Sequence, residues 1–192
     1  MDVTVVGSCN MDLSTYAPRF PKPGETMIGH KYVVGFGGKG ANQCVSAVRL
    51  GCKTAMVGKV GNDDNGNKTI DNFKSNGVTT DYMAVTDQSS TGIAAITIAD
   101  TGENSIVIVP GANLLLTDVD VTAIEDLIKG SKVVGAGDAF VGSLAFYLAT
   151  RPDLTFENAI QRSSIIASIS VQSPGTQYSY PWRKDLQPEL FE

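Results

Sequence analysis

The sequence predicts an α/β fold built on a mainly parallel sheet, with a small antiparallel lid. Three features point to it. Apolar runs ending in glycine alternate with segments of helical period, in the order strand, helix, strand, helix, the rhythm of βαβ units. Glycine-rich turns, GFGGKGAN at 35–42 and GAGD at 135–138, lead into two of the helical segments. A β-rich stretch at 91–113 then breaks the alternation with the hairpin signal DTGEN.

Along the chain, VTVVGS (3–8) reads as a strand buried on both faces. The Pro/Gly-rich stretch after it, from Ala17, predicts short flap strands at Met27–Ile28 and Tyr32–Val34. KGANQCVSAVRLG (39–51) carries small and apolar residues at helical spacing and stops at Gly51. KTAMVGKVG (53–61) returns as a strand, and DDNGNKTIDNFKSNG (63–77) predicts a helix with Asp63 near its start and Gly77 past its end. Segments 14–35 and 91–113 together predict the lid. TDVDVTAIEDLIKG (117–130) predicts one helix capped by Thr117, and SKVV a strand of four residues. Two helices follow, over 138–150 and 155–172, the second capped at Thr155.

The chain has 192 residues, a size suited to one such domain, 1–192. Twenty acids against fifteen bases give a net charge of −5, and no basic cluster is present, which argues against nucleic acid or an anionic membrane as partner. No apolar run is long enough to span a bilayer. The N-terminus lacks the basic flank and cleavage pattern of a signal peptide, so a cytoplasmic location is expected, with the nucleus as an additional one. Cys9, Cys44 and Cys52 have no zinc-ligand spacing and are expected as reduced, buried, small side chains. His30 is the single histidine, which excludes mechanisms needing a pair.

Two turns and one strand end carry the chemistry. In GAGD, Gly135 and Gly137 let backbone N–H groups converge where a helix begins, a cradle for phosphate. Asp138 at that terminus is placed to stay ionised and accept a hydroxyl proton. GFGGKGAN has neither Walker A nor dinucleotide-turn spacing; it predicts a polar ligand near a helix start, faced by Lys39 and Asn42. In GSCNMD, Asn10 and Asp12 at i, i+2 share one face if the backbone is extended, beyond the carboxyl end of the first strand. An amide and a carboxylate there suit vicinal hydroxyls; taken singly, an Asx turn leaving the strand explains them better.

In this order, GSCNMD, PKPGET, FGGKGANQ, GENSIVIVPGAN, GAGDAFVGSLAFYLA and GTQYSYPW resemble the ribokinase-type family of carbohydrate kinases over nearly the whole chain. The resemblance implies a Rossmann-like α/β/α sandwich with a β-lid that often clasps a second copy. It also implies ATP-dependent phosphorylation of D-ribose at its 5-hydroxyl, with Mg2+ and K+. By position, Asn10, Asp12, Gly38, Lys39 and Asn42 would hold the sugar, and Asp138 would be the base. Gly135, Ala136 and Gly137 would form the anion hole, and Ser164 would contact adenine. Val134, Ser170, Ser173, Gly175 and Ser179 would contribute to a monovalent-cation loop.

The departures from the family carry equal weight. IKGSKV runs straight into VGAGDAF, so the fold is expected to be incomplete, with a block on the order of a hundred residues absent at about Val133/Val134. No Asn-x-x-Glu magnesium motif lies between the lid and GAGD, and the nucleotide loop is missing. Lys132 and Val133 stand where the family has an acidic residue and threonine, putting a cation near the expected ion. An internal deletion predicts unpaired strand edges and exposed apolar faces, and impaired or lost kinase activity. The alternatives are a non-catalytic chain that binds or dimerises, and another sugar or nucleoside kinase of the family.

Overall fold

A computed structural model of the chain describes residues 1–135, 139–170 and 177–191. The main sheet is four-stranded and wholly parallel. β1 (Val3–Val6) sits between β4 (Thr54–Gly61) and β8 (Val133–Gly135), and β5 (Met83–Thr86) lies outside β4. β1 and β4 are almost wholly buried, as expected for strands covered on both faces.

Helix α1 (Lys39–Arg49) lies against β1 and β4, α5 (Ala139–Thr150) lies beside α1 and against β8, and α6 (Phe156–Ser170) packs on α5. Helix α2 (Asp64–Asn76) follows β4. Asp63 caps it through Gly66 N–H at 2.8 Å, and Gly77, at φ 84°, ends it in a conformation that costs a side chain strain. The core joins Val3, Val5, Val45, Leu50, Met56 and Phe73 with Phe146, Tyr147 and Ile166 from beyond the join.

The lid is a second four-stranded sheet, ordered β3-β2-β6-β7. β2 (Asn10–Ala17) pairs antiparallel with β3 (Lys31–Gly37) and parallel with β6 (Gly92–Ala99), and β6 forms the hairpin with β7 (Asn104–Val109). The lid therefore starts at Asn10 rather than at 14. Met27–Ile28 forms no strand, and Ile28 stands in solvent at 91 % exposure; without a partner strand its backbone gains no ladder.

The helix expected over 117–130 is two short ones, α3 (Asp118–Thr122) and α4 (Glu125–Lys129). Thr117 still marks the start, its N–H and hydroxyl both donating to Asp120 Oδ2 at 2.8 and 2.9 Å. The same Asp120 pairs with Lys59 of β4 at 2.9 Å, tying this segment to the main sheet. β8 pairs beside β1 in register, Val134 opposite Thr4. Strand β8 itself becomes the edge.

All three cysteines are buried and free. Burial pushes the thiols of Cys9 and Cys52 up to about 12, which leaves them inert as nucleophiles at neutral pH. No helix among the described residues is long and apolar enough to cross a membrane.

Candidate functional site

Residues 7–9 carry the chain from the main sheet into the lid, and the site forms at that crossing. A Cβ on Gly40 would lie 2.8 Å from the backbone of Gly7, so the start of α1 abuts the end of β1 with no room for side chains. Ala41 N–H donates to Ser8 O at 3.0 Å. Gly38, at φ 92°, turns the chain into α1 in a conformation glycine allows. Between this helix start and the lid lies a cleft of about 380 Å³, lined among others by Asn10, Asp12, Gly38, Lys39, Asn42 and Asn113.

Asn10 and Asp12 project from β2 on one face, as the extended backbone requires. Asn113 Nδ2 donates to Asn10 Oδ1 at 2.9 Å and to Cys9 O at 3.0 Å, while Asn113 Oδ1 accepts from Cys9 N–H at 2.8 Å. The Cys9 N–H can only donate, so it orients the Asn113 amide, which leaves Asn10 Nδ2 as the group facing a ligand. Gly92 is required beside them: a Cβ there would meet Asn113 Nδ2 at 2.3 Å and Asn10 Oδ1 at 2.4 Å.

Asp12 is half-buried, and burial raises its carboxyl to about 6. Asn42 is buried, and its Oδ1 accepts from Gln177 Nε2 at 3.1 Å. Lys39, the first residue of α1, is exposed at the cleft wall. A carboxylate acceptor, amide donors and an ammonium thus converge on one cleft, a set suited to a polyhydroxylated ligand.

The other predicted residues do not line this cleft or are not described. Asp138, Ala136 and Gly137, with Ser173 and Gly175, fall outside the described residues. Val134 and Gly135 are in β8, and α5 begins at Ala139, one residue past Asp138. Ser164 is exposed on α6 with its hydroxyl donating to Ile160 O, and Ser170 Oγ donates to Ala167 O. Ser179 lies in a short 3-10 turn, Gln177–Ser179. The Lys132 ammonium pairs with Asp2 at 3.0 Å, so part of the charge placed at the join is neutralised locally.

Sequence reasoning assigned no role to Asn113, Gln177 or Tyr178. Asn113 ends the PGAN motif, and that position was its only signal. Tyr178 joins Asp12 and Gly35 in a second cleft of about 300 Å³ on the lid; nothing in local sequence places residue 178 near residue 12. Among the described residues no three His, Cys, Asp or Glu side chains gather as a metal site. With no Asn-x-x-Glu ahead of GAGD, the residues present do not fit a magnesium site of the kind the resemblance implies.

A parallel α/β sheet whose first strand continues into a β-lid, with a polar cleft at the crossing, is a Rossmann-like α/β architecture. The profile of the pfkB family carbohydrate kinases matches residues 1–134 and again 128–183, the two matches meeting at the join. The chain belongs to that family, within its ribokinase-type members. It is similar to mouse ribokinase, 33% identical over an alignment of 305 residues that takes in 98% of this chain and 94% of the mouse protein. Since this chain has only 192 residues, a large internal block of the mouse protein has no counterpart here. Bacillus subtilis ribokinase is 49% identical over 112 residues, which cover 58% of this chain and 38% of that protein. Among solved structures, Giardia lamblia ribokinase shares the fold at a TM-score of 0.86 and 18% identity, over 96% of each chain. Arabidopsis thaliana ribokinase, solved with ribose and ATP, does so at 0.76 and 21%, over 95% of this chain and 96% of that one.

Proposed function

We propose that this chain is a sugar-binding member of the family. It holds D-ribose among Asn10, Asp12, Gly38, Lys39 and Asn42, and its transfer of phosphate from ATP to the ribose 5-hydroxyl is lost or far slower than in a full-length member. One observation carries the reading: the cleft at the β1–lid crossing is lined by residues before the join, with Asn10 held by Asn113 and Asn42 held by Gln177 from beyond it. The ligands of the Arabidopsis relative support the same ligand class.

In the family's reaction Asp138 would take the hydroxyl proton, while Gly135, Ala136 and Gly137 would offer N–H groups to the transferred phosphate. Those residues survive in the sequence. Phosphoryl transfer, however, depends mostly on electrostatic stabilisation by metal and nucleotide loop; no Asn-x-x-Glu motif precedes GAGD in the sequence, and no acidic cluster suited to a metal forms among the described residues. Ser164 toward adenine remains part of the proposal. So do Val134, Ser170, Ser173, Gly175 and Ser179 toward K+, pairing of two copies through the lid, and a cytoplasmic location.

Calorimetry with ribose and with ATP, run separately, tests the binding half; ribose binds and ATP binds weakly or not at all. A coupled assay tests the other half. Ribose-dependent ATP turnover that disappears in Asp138→Asn would overturn the loss of activity, and absence of ribose binding would overturn the sugar site.

A further inference from the structure

Asn42, whose amide lines the cleft, stands at one end of a chain of side-chain amides. Its other end is Arg49, two turns further along the same helix. Arg49 Nε donates to Asn76 Oδ1 at 2.8 Å. Asn76 Nδ2 donates to Asn72 O at 2.8 Å and to Asn72 Oδ1 at 3.3 Å. Asn72 Nδ2 donates to Gln177 Oε1 at 2.9 Å, and Gln177 Nε2 donates to Asn42 Oδ1 at 3.1 Å. The guanidinium also donates to the carbonyls of Gln177 and Tyr180, which holds the tail segment against α1.

The direction of this relay is not arbitrary. A guanidinium has donors only, whereas each carboxamide has one donor and one acceptor end. Arg49 therefore forces Asn76 to present oxygen toward it, and every later amide must point the same way. The last link leaves Asn42 Nδ2 with no hydrogen-bond partner among the described residues, on a side chain that lines the cleft. Asn10 is oriented the same way from the opposite wall, by Asn113 and the Cys9 N–H. The two amides then offer donors, and the Asp12 carboxylate offers an acceptor.

We propose that Arg49, Asn76, Asn72 and Gln177 are positioning residues that fix the polarity of Asn42 and so select ligands by the hydrogen-bonding character of one hydroxyl. The sugar part of this rests on the ribose reading above; the polarity itself does not.

Asn72→Asp is nearly isosteric and keeps Arg49, but it places an acceptor before Gln177. Gln177 must then turn, and Asn42 must donate inward and present oxygen to the cleft. In hydrogen exchange followed on side-chain amides, the wild-type NH2 of Asn42 exchanges faster than that of Gln177, and Asn72→Asp slows the Asn42 NH2. Unchanged exchange at Asn42 would overturn the relay whatever the ligand.

Calorimetry with D-ribose and single deoxyfluoro-D-riboses reads the consequence, because fluorine accepts but cannot donate. The wild type keeps near-ribose affinity for the analogue substituted at the hydroxyl Asn42 touches, and Asn72→Asp loses about tenfold for that analogue relative to ribose. Equal ribose-to-analogue ratios in the two proteins would overturn the selection. If the wild type binds no ribose, the sugar reading fails while the exchange result still decides the relay. Gln177→Leu adds no charge and frees Asn42 to take either orientation. Its ratio falls between the other two, and it stands in should Asn72→Asp not fold.

Discussion

A methyl group on Gly37 would lie 2.2 Å from Oδ1 of Asp12 and 2.4 Å from Oδ2, across the β2–β3 ladder. The carboxylate occupies the space that a side chain at position 37 would take. Gly37→Ala therefore forces Asp12 into another rotamer while the lid ladder persists. Ribose affinity falls about tenfold, the worth of a hydrogen bond to a charged acceptor; calorimetry reads it, and unchanged far-ultraviolet dichroism shows the fold retained.

The raised Asp12 carboxyl, at about 6, gives opposite pH signatures to stability and binding. Between about pH 4 and pH 6 the folded chain holds the proton more tightly than the unfolded chain, so stability falls as pH rises through that window and stays lower above it. Asp12→Asn then melts higher than wild type near about pH 7.5 and loses the advantage near about pH 4. In the proposed ribose site the ionised carboxylate is the acceptor, so the expected outcome is that wild-type affinity declines as pH falls below about 6.

Asp63 ties α2 to the lid, accepting from Gly66 N–H, Thr91 N–H and Thr91 Oγ1 at 2.8, 2.8 and 2.6 Å. Burial opposes its ionisation, but these bonds and one from Asn65 outweigh it and hold the carboxyl below its usual value. Its contribution is present above the unfolded value near about pH 4 and is lost as pH falls through the lower folded one. Asp63→Ala costs about 1–2 kcal/mol near neutral pH, in the range of a lost cap, and the difference from wild type shrinks in acid. Urea unfolding at two pH values checks both statements.

Gly142 lets α5 approach α1: a Cβ there would meet Ser46 Cβ at 2.6 Å and Gln43 O at 2.8 Å. Gly142→Ala lowers stability by about 1–3 kcal/mol through overpacking. A neutral outcome in thermal unfolding would mean that α5 does not sit on α1 in solution.

The amino-acid sequence by itself determined the local elements and the polarity of their faces. Capping residues, glycine stops and periodicity are short-range, so α1, α2, the β6–β7 hairpin and the shared face of Asn10 and Asp12 are legible from residues a few positions apart. Thr117 also marked a helix start correctly, but the break between α3 and α4 follows no breaker residue. What the tertiary structure decided depends on contacts distant in the chain. β8 finds β1 because that edge offers unpaired backbone groups, although the two are separated by most of the chain. Gln177 reaches Asn42 across 135 positions, and only that contact makes a buried asparagine into an oriented donor. A hydrogen bond constrains direction as well as distance, and no local pattern in a sequence records the direction of an amide.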